Sequence, residues 1–404
     1  MNIAGKRKYL NQKAHLCYLK SIVAITFILI SRGNLFAQNL NETGLYSIRN
    51  YSAKEYNLVP QNFAVVQDSR GVLFFGNNSG ILEYDGHNWD TIQTPQEGPI
   101  HSLTIDSKGV IYVGGTGEIG YLASDLNGRI RYHSLVDSIK AKSQRDFAEV
   151  WTCYATKDNK VYFQTQYRIY RWDGKTMKVI EHDTKDGATF HLMFYLNGTL
   201  YVREKEVGMK KMVNDNLNFI QGGDMFAQSK IYFMQPFRKN EILMNMEGHG
   251  LFTMLPADFS SRIQNSEELT KVNPFHTDID QFFTDNRIYN GIRLNSKDYS
   301  IGTRDGGIVV IDSSGHLVGA VNKKNGLQDE FINYQFLDSQ KKLWLATQNG
   351  ISKVDINSPI TTFNDQNGLE GMVLSITRSG DKLYAATPSG LFCLQAQNLS
   401  SGSP

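Results

Sequence analysis

Residues 338–355 read Asp338-Ser-Gln-Lys-Lys-Leu-Trp-Leu-Ala-Thr-Gln-Asn-Gly-Ile-Ser-Lys-Val-Asp355. Two short apolar stretches, Leu343 to Ala346 and Ile351 to Val354, flank a glycine-bearing turn, and an aspartate turn precedes the first. Such stretches, bounded by Asp, Asn and Gly, read as two β-strands of a hairpin. The first has seven counterparts: Leu73-Phe-Phe-Gly76, Ile111-Tyr-Val-Gly114, Val161-Tyr-Phe163, Leu200-Tyr-Val202, Ile242-Leu-Met244, Tyr299-Ser-Ile-Gly302 and Leu383-Tyr-Ala-Ala386. Their middle residues, from 74 to 384, recur at a mean interval of about 44 residues.

That interval holds four short strands, and what fills it excludes helical repeats of similar period. Apolar and polar residues alternate over short runs, and Gly, Asn and Asp interrupt them. Asp68-Ser-Arg-Gly71, Asp106-Ser-Lys-Gly109, Asp158-Asn-Lys160 and Asp338-Ser-Gln-Lys341 stand between first and second strands, where Asp caps a turn and Gly or Asn supplies positive φ. The repeated aspartates are therefore expected to serve turns rather than metal binding. The expected fold is all-β, a β-propeller of four-stranded antiparallel blades. Tyr46 to Tyr51 reads as a fourth strand with no first three before it, and so as the strand that closes the ring. Eight repeat sets would close an eight-bladed ring; seven would close near Ile356 and leave residues 360–397 over.

Six of the 42 Lys+Arg (Lys6, Arg7, Lys8, Lys13, Lys20, Arg32) lie in residues 1–37, which hold no acid, so 36 bases face 40 acids beyond. A mildly acidic mature chain argues against a nucleic-acid surface. The basic start, the apolar run Ile22 to Ile30 and the ending Leu35-Phe-Ala37 form the plan of a secretory signal cleaved after Ala37. The run is too short for a membrane span. The expected organisation is therefore a signal at 1–37, a propeller over 38–397 and a tail at 398–404, in a periplasmic or otherwise extracytoplasmic protein. Cys17 falls in the leader, and Cys153 and Cys393 fall in strand-like segments expected to bury free thiols.

Asn325-Gly-Leu327, Asp338, Leu343-Trp-Leu-Ala-Thr347, Asn349-Gly-Ile351 and Val354-Asp355 resemble the two-component regulator propeller repeat, as do Asn367-Gly-Leu369, Leu383-Tyr-Ala-Ala-Thr387 and Ser389-Gly-Leu391. The opening from Ile48 through Gly80-Ile-Leu-Glu-Tyr-Asp-Gly86 and Trp89 is similar to the first blade of such sensors in Bacteroidetes-type bacteria. The resemblance spans about residues 45–397 and is weakest in the third to fifth repeats, where Gln164 and Arg203 replace a small residue and Leu243 an aromatic. It implies a periplasmic ligand-sensing region, seven blades per propeller, and elsewhere in such proteins a second propeller, a membrane helix and a histidine kinase or helix-turn-helix output. With the chain ending at Pro404, the expectation is a truncated member or a stand-alone propeller acting through a partner protein, with neither kinase nor DNA-binding activity.

Chemistry-bearing motifs are sparse. The nine histidines are dispersed without metal-ligand spacing, and Asp278-Ile-Asp280 with Asp285 lacks the pattern of a calcium loop. No cofactor is implied. If a small polar ligand such as an oligosaccharide binds, it should meet the turns between second and third strands: Asn77, Glu118, Arg168, Glu247, His249, Arg304, Asp305 and Gln348, with Asn78, Tyr167, Asn349, Gln61 and His101 nearby. The leading expectation is a non-catalytic sensor. The alternatives are a polysaccharide lyase or hydrolase using Glu118, Glu204, Glu206 or Glu247, and an interaction scaffold.

Overall fold

The computed structural model describes residues 44–182, 188–256, 270–380 and 382–394. The expected secretory leader, Cys17 and the expected tail lie outside them. Among the described residues no helix is long and apolar enough to cross a membrane.

The aspartate turns form as their chemistry demands. Asp106 Oδ1 accepts the Lys108 and Val110 N–H groups at 2.9 Å each, and Asp338 Oδ1 those of Gln340 and Lys342 at 2.9 and 2.8 Å. Gly109 takes the positive φ of 82°, but in the Asp338 turn Lys341 takes it, at 62°, where the sequence reading looked for Gly or Asn. Each turn feeds a second strand that is buried along its length, as in Leu73–Asn77 and Leu343–Thr347.

Seven four-stranded antiparallel sheets result. Their innermost strands are Asn62–Gln67, Ile100–Ile105, Thr152–Ala155, Phe190–Leu196, Met234–Pro236, Ile288–Arg293 and Ile332–Leu337. Each touches its successor, and the seventh touches the first. The core has the same cyclic order: seven apolar clusters lie between successive sheets, and one of them joins Trp344, Ala346 and Ile351 of the seventh to Val65, Phe75, Leu82 and Tyr84 of the first. The ring is a seven-bladed propeller.

Its seventh blade takes its outer strand from the other end of the chain. Ile48–Tyr51 pairs antiparallel with Ile351–Val354, Ile48 opposite Val354 and Tyr51 opposite Ile351. The strand begins at Ile48 rather than Tyr46. Tyr51 anchors it: the ring stacks on Trp344 at 5.6 Å and meets Tyr84 and Trp89 edge-on at 5.5 Å each.

This pairing overturns the eight-bladed count, because the orphan strand is used on the seventh set and among the described residues no other strand completes the eighth. The eighth set forms a three-stranded sheet, Ser375–Ser379, Lys382–Thr387 and Gly390–Leu394, in a second compact unit. There Cys393 is exposed, against the expectation of a buried thiol, while Cys153 is buried. Between the fifth and sixth blades a helix, Asp280–Asn286, whose Phe282 and Phe283 are buried, follows the strand Lys271–Pro274. Asp280 accepts the Thr277 N–H and hydroxyl at 2.9 and 2.7 Å, which is what the acidic run does.

Candidate functional site

In an antiparallel blade the amino end of the innermost strand lies beside the turn between second and third strands; Asn62, for example, pairs with Asn77. One face of the ring therefore carries both. There the innermost strands surround a cavity of 710 Å³.

Ladder irregularities decide what enters it. The register slips between Asn62 and Ala64, Ile100 and Ser102, Ile288 and Asn290, and Ile332 and Tyr334, so that Phe63, His101, Tyr289 and Asn333 each sit opposite no partner residue. A similar slip between Phe190 and Met193 leaves His191 and Leu192 unpaired. A bulged residue is released from the pleat and re-aimed, and all of these side chains line the cavity.

The rings at these positions touch around the mouth in two arcs. Phe63 and His101 lie 4.8 Å apart and His101 and Trp151 4.9 Å. On the other side His191 meets Tyr232 at 5.3 Å, Tyr232 meets Tyr289 at 5.1 Å, and Tyr289 meets Phe331 at 5.3 Å. Trp151 is 42% exposed and offers an accessible aromatic face. Arg304, from the turn of the sixth blade, lies over three rings, 4.7 Å from Tyr289, 5.7 Å from Tyr232 and 5.8 Å from Phe331.

Among the described residues the charge lining the cavity has one sign: Arg203, Lys205, Lys230 and Arg304, with no Asp or Glu. Carboxylates stand behind them, Glu206 3.6 Å from Lys205 and Glu247 3.7 Å from Lys230. Buried Arg203 donates to the Phe226 carbonyl at 3.0 Å and to that of Ala227. Burial pushes the His101 imidazole down to about 4 against the opposing pull of Glu149. It pushes His191 down to about 3, with Arg203 and Lys230 adding to the effect. Both histidines are neutral near pH 7. Burial pushes the Cys153 thiol up to about 12, so this lining residue carries no thiolate. Among the described residues no group of three His, Cys, Asp or Glu could hold a metal ion.

Of the eight residues singled out from the sequence, Arg304 lines the cavity. Glu247 adjoins it through the Tyr232 hydroxyl, which donates to it at 2.9 Å. Asn77 is buried and closes its own turn, donating to the Val59 carbonyl at 2.7 Å and to Asn62 at 2.9 Å. Glu118 is buried and accepts the Tyr132 and Ser134 hydroxyls at 2.9 and 3.2 Å. Arg168 pairs with Glu181 at 3.1 Å and Asp305 with Arg287 at 2.7 Å, while Gln348 bonds Gln61 and His249 sits exposed in its turn. The aromatic residues other than His101 went unnamed. Aligning the repeats on their first strands would have found them, since an aromatic or imidazole ring stands near the start of each of the first six.

No protein-family model matches the chain, and no curated protein sequence matches it. Solved structures do. Virginiamycin B lyase from Staphylococcus aureus is 11% identical, with a TM-score of 0.57 over 76% of this chain and 99% of that one. The extracellular domain of BT4673 from B. thetaiotaomicron, described as a one component system, is 18% identical, with a TM-score of 0.56 over 86% of this chain. The chain spans 46% of the length of that domain. The WD40 β-propeller domain of Doa1 is 11% identical, with a TM-score of 0.53. These likenesses establish the propeller fold, which serves a lyase, the extracellular domain of a one component system and a WD40 protein alike.

Proposed function

We propose that this protein is an extracytoplasmic binding propeller of a bacterial signalling system, non-catalytic in this chain, which takes an oligosaccharide at the aromatic mouth of its channel. The observation that carries the reading is the pair of aromatic arcs. Sugar rings offer patches of C–H to aromatic faces and hydroxyls to amides and charges, and the mouth supplies Trp151 and Tyr289, the latter backed by Phe331, beside Gln166 and Asn333. The basic, apolar start of the sequence supports the compartment, and the similarity to BT4673 supports the sensing role. Ligand contacts from several blades would favour one arrangement of the mouth and present it to a partner protein or to signalling domains.

A glycan lyase or hydrolase is less well supported. Of the carboxylates expected from the sequence, Glu118 is occupied by two hydroxyls, and among the described residues the lining holds no carboxylate. The test is titration of the chain with oligosaccharides, followed by tryptophan fluorescence. Binding should quench Trp151, and Trp151→Ala should weaken it by about 10-fold, the equivalent of a stacking contact of about 1–2 kcal/mol. Turnover of the bound glycan would refute the non-catalytic reading.

A further inference from the structure

The cations of the mouth are not equivalent. Lys205 and Lys230 each face a carboxylate, and the Arg203 guanidinium is spent on two backbone carbonyls. On the neighbouring turn Arg287 is paired with Asp305. Arg304 is left: its backbone N–H bonds to the Asn286 and Arg287 carbonyls, but among the described residues its guanidinium makes no hydrogen bond and no ion pair. It is half-buried in the cavity, held against the Tyr289, Tyr232 and Phe331 rings.

A guanidinium stacked on aromatic faces is fixed in plane while its five N–H donors, directed around the edge, stay free. A partly desolvated cation with uncommitted donors calls for an anion. Among the described residues the cavity wall does not supply one, and the two neutral histidines add no charge of either sign.

We infer that the ligand of this channel is an acidic sugar, and that Arg304 is the residue that reads its charge by a forked contact to a carboxylate or a sulfate group. The inference rests on the oligosaccharide reading above and narrows it. Such a fork satisfies two donors at once and is stronger than contacts to neutral oxygen. Lys205 and Lys230, two cations with exposed side chains, lend the mouth a field that draws the same anion in and weakens with salt.

The test is calorimetric titration of the full chain with three probes: trigalacturonate, a sulfated glycosaminoglycan disaccharide, and neutral xylotriose. The expected result is that one acidic probe binds at least about 10-fold more tightly than xylotriose, and which one does so tells carboxylate from sulfate. Arg304→Ala should cost that probe about 10- to 100-fold while moving xylotriose by less than about 3-fold, and Arg304→Lys, which keeps charge without the fork, should fall between. Arg304→Ala gives up its packing on three rings, so a thermal scan first checks that each variant is fully folded at the titration temperature. If the preference for the acidic probe is absent, or survives in Arg304→Ala, the inference is overturned while sugar binding stands. If none of the three probes binds and Trp151 fluorescence does not respond to any, both readings fail.

Discussion

Tyr51→Ala removes the ring that anchors the closing strand. The ring is 5% exposed, stacked on Trp344 of its own blade and edge-on to Tyr84 and Trp89 of the first, so it pins the closing strand, which only non-covalent pairing holds to the seventh blade, at the junction with the first. Truncating a buried aromatic to alanine costs about 3–5 kcal/mol. Part of that is the geometry-specific contact of aromatic pairs, about 0.5–1.5 kcal/mol each. The expected loss is about 4 kcal/mol. Tyr51→Phe keeps the ring and loses only a hydroxyl 3.3 Å from that of Tyr84, which itself donates to the Gly86 carbonyl, so about 1 kcal/mol should go. Urea unfolding followed by tryptophan fluorescence reports on this site directly, because Trp89 and Trp344 both touch Tyr51. With a slope of about 2 kcal/mol per molar urea, the alanine variant should unfold about 2 M earlier. Hydrogen exchange of residues 351–354, the strand it pairs with, should accelerate. If Tyr51→Ala costs no more than Tyr51→Phe and leaves exchange at 351–354 unchanged, the strand is not what holds the ring shut.

Two further outcomes concern charge. His101 should make stability fall with acid: its folded value of about 4 lies below the ordinary 6.5, so between those pH values the unfolded chain binds the proton and the folded chain does not. Its contribution is complete above about pH 6.5 and lost as pH falls to about 4, at most about 3 kcal/mol. His101→Phe, which keeps a ring between Phe63 and Trp151, should flatten that part of the profile, and an unaltered difference between pH 7 and 5 would refute the assignment. Lys210 and Glu204 form a buried pair at 2.6 Å, so Lys210→Ala should cost about 3–5 kcal/mol in urea unfolding, whereas Arg131→Ala, which breaks the exposed pair with Asp125, should cost under about 1 kcal/mol.

The fold was legible because turn chemistry is local. An aspartate two to four residues before the N–H groups it accepts can be read without knowing anything distant, and repetition of that turn at a constant interval dictates blades. The number of blades was not legible in the same way. Counting phrases gives the number of hairpin sets, but closure depends on where Ile48–Tyr51 docks, which is decided by whether Tyr51 finds Trp344, Tyr84 and Trp89 around it. Those partners lie 33 to 293 residues away in the sequence.

The site was the least legible part, for a related reason. Turns between second and third strands are rich in amides and carboxylates, which look like ligand groups, yet Asn77 and Glu118 are consumed in holding their own blades together. The groups that reach the cavity come instead from bulged starts of the innermost strands. There one additional residue shifts the alternation of inward and outward side chains, so a period of two read along Asn62-Phe63-Ala64 or Ile288-Tyr289-Asn290 misassigns the face by one position.

The same device explains how a fold made of repeats acquires a site that is not repetitive. Each bulge frees one side chain at nearly the same height around the axis, and the sequence is then unconstrained by pairing in what it places there: Phe63, His101, Tyr289 or Asn333. Because the strands converge on one channel, neighbouring choices touch, and aromatic choices join into arcs. Asn333 breaks the sequence of rings and donates back to the Asn62 carbonyl at 2.8 Å, tying the seventh blade to the first. Arg304 enters from the second turn of the sixth blade, and the rings beneath it come from the fifth, sixth and seventh. An anion on its free edge would therefore sense the relative placement of three blades at once, which is the physical basis on which occupancy of this mouth can be felt by the rest of the ring.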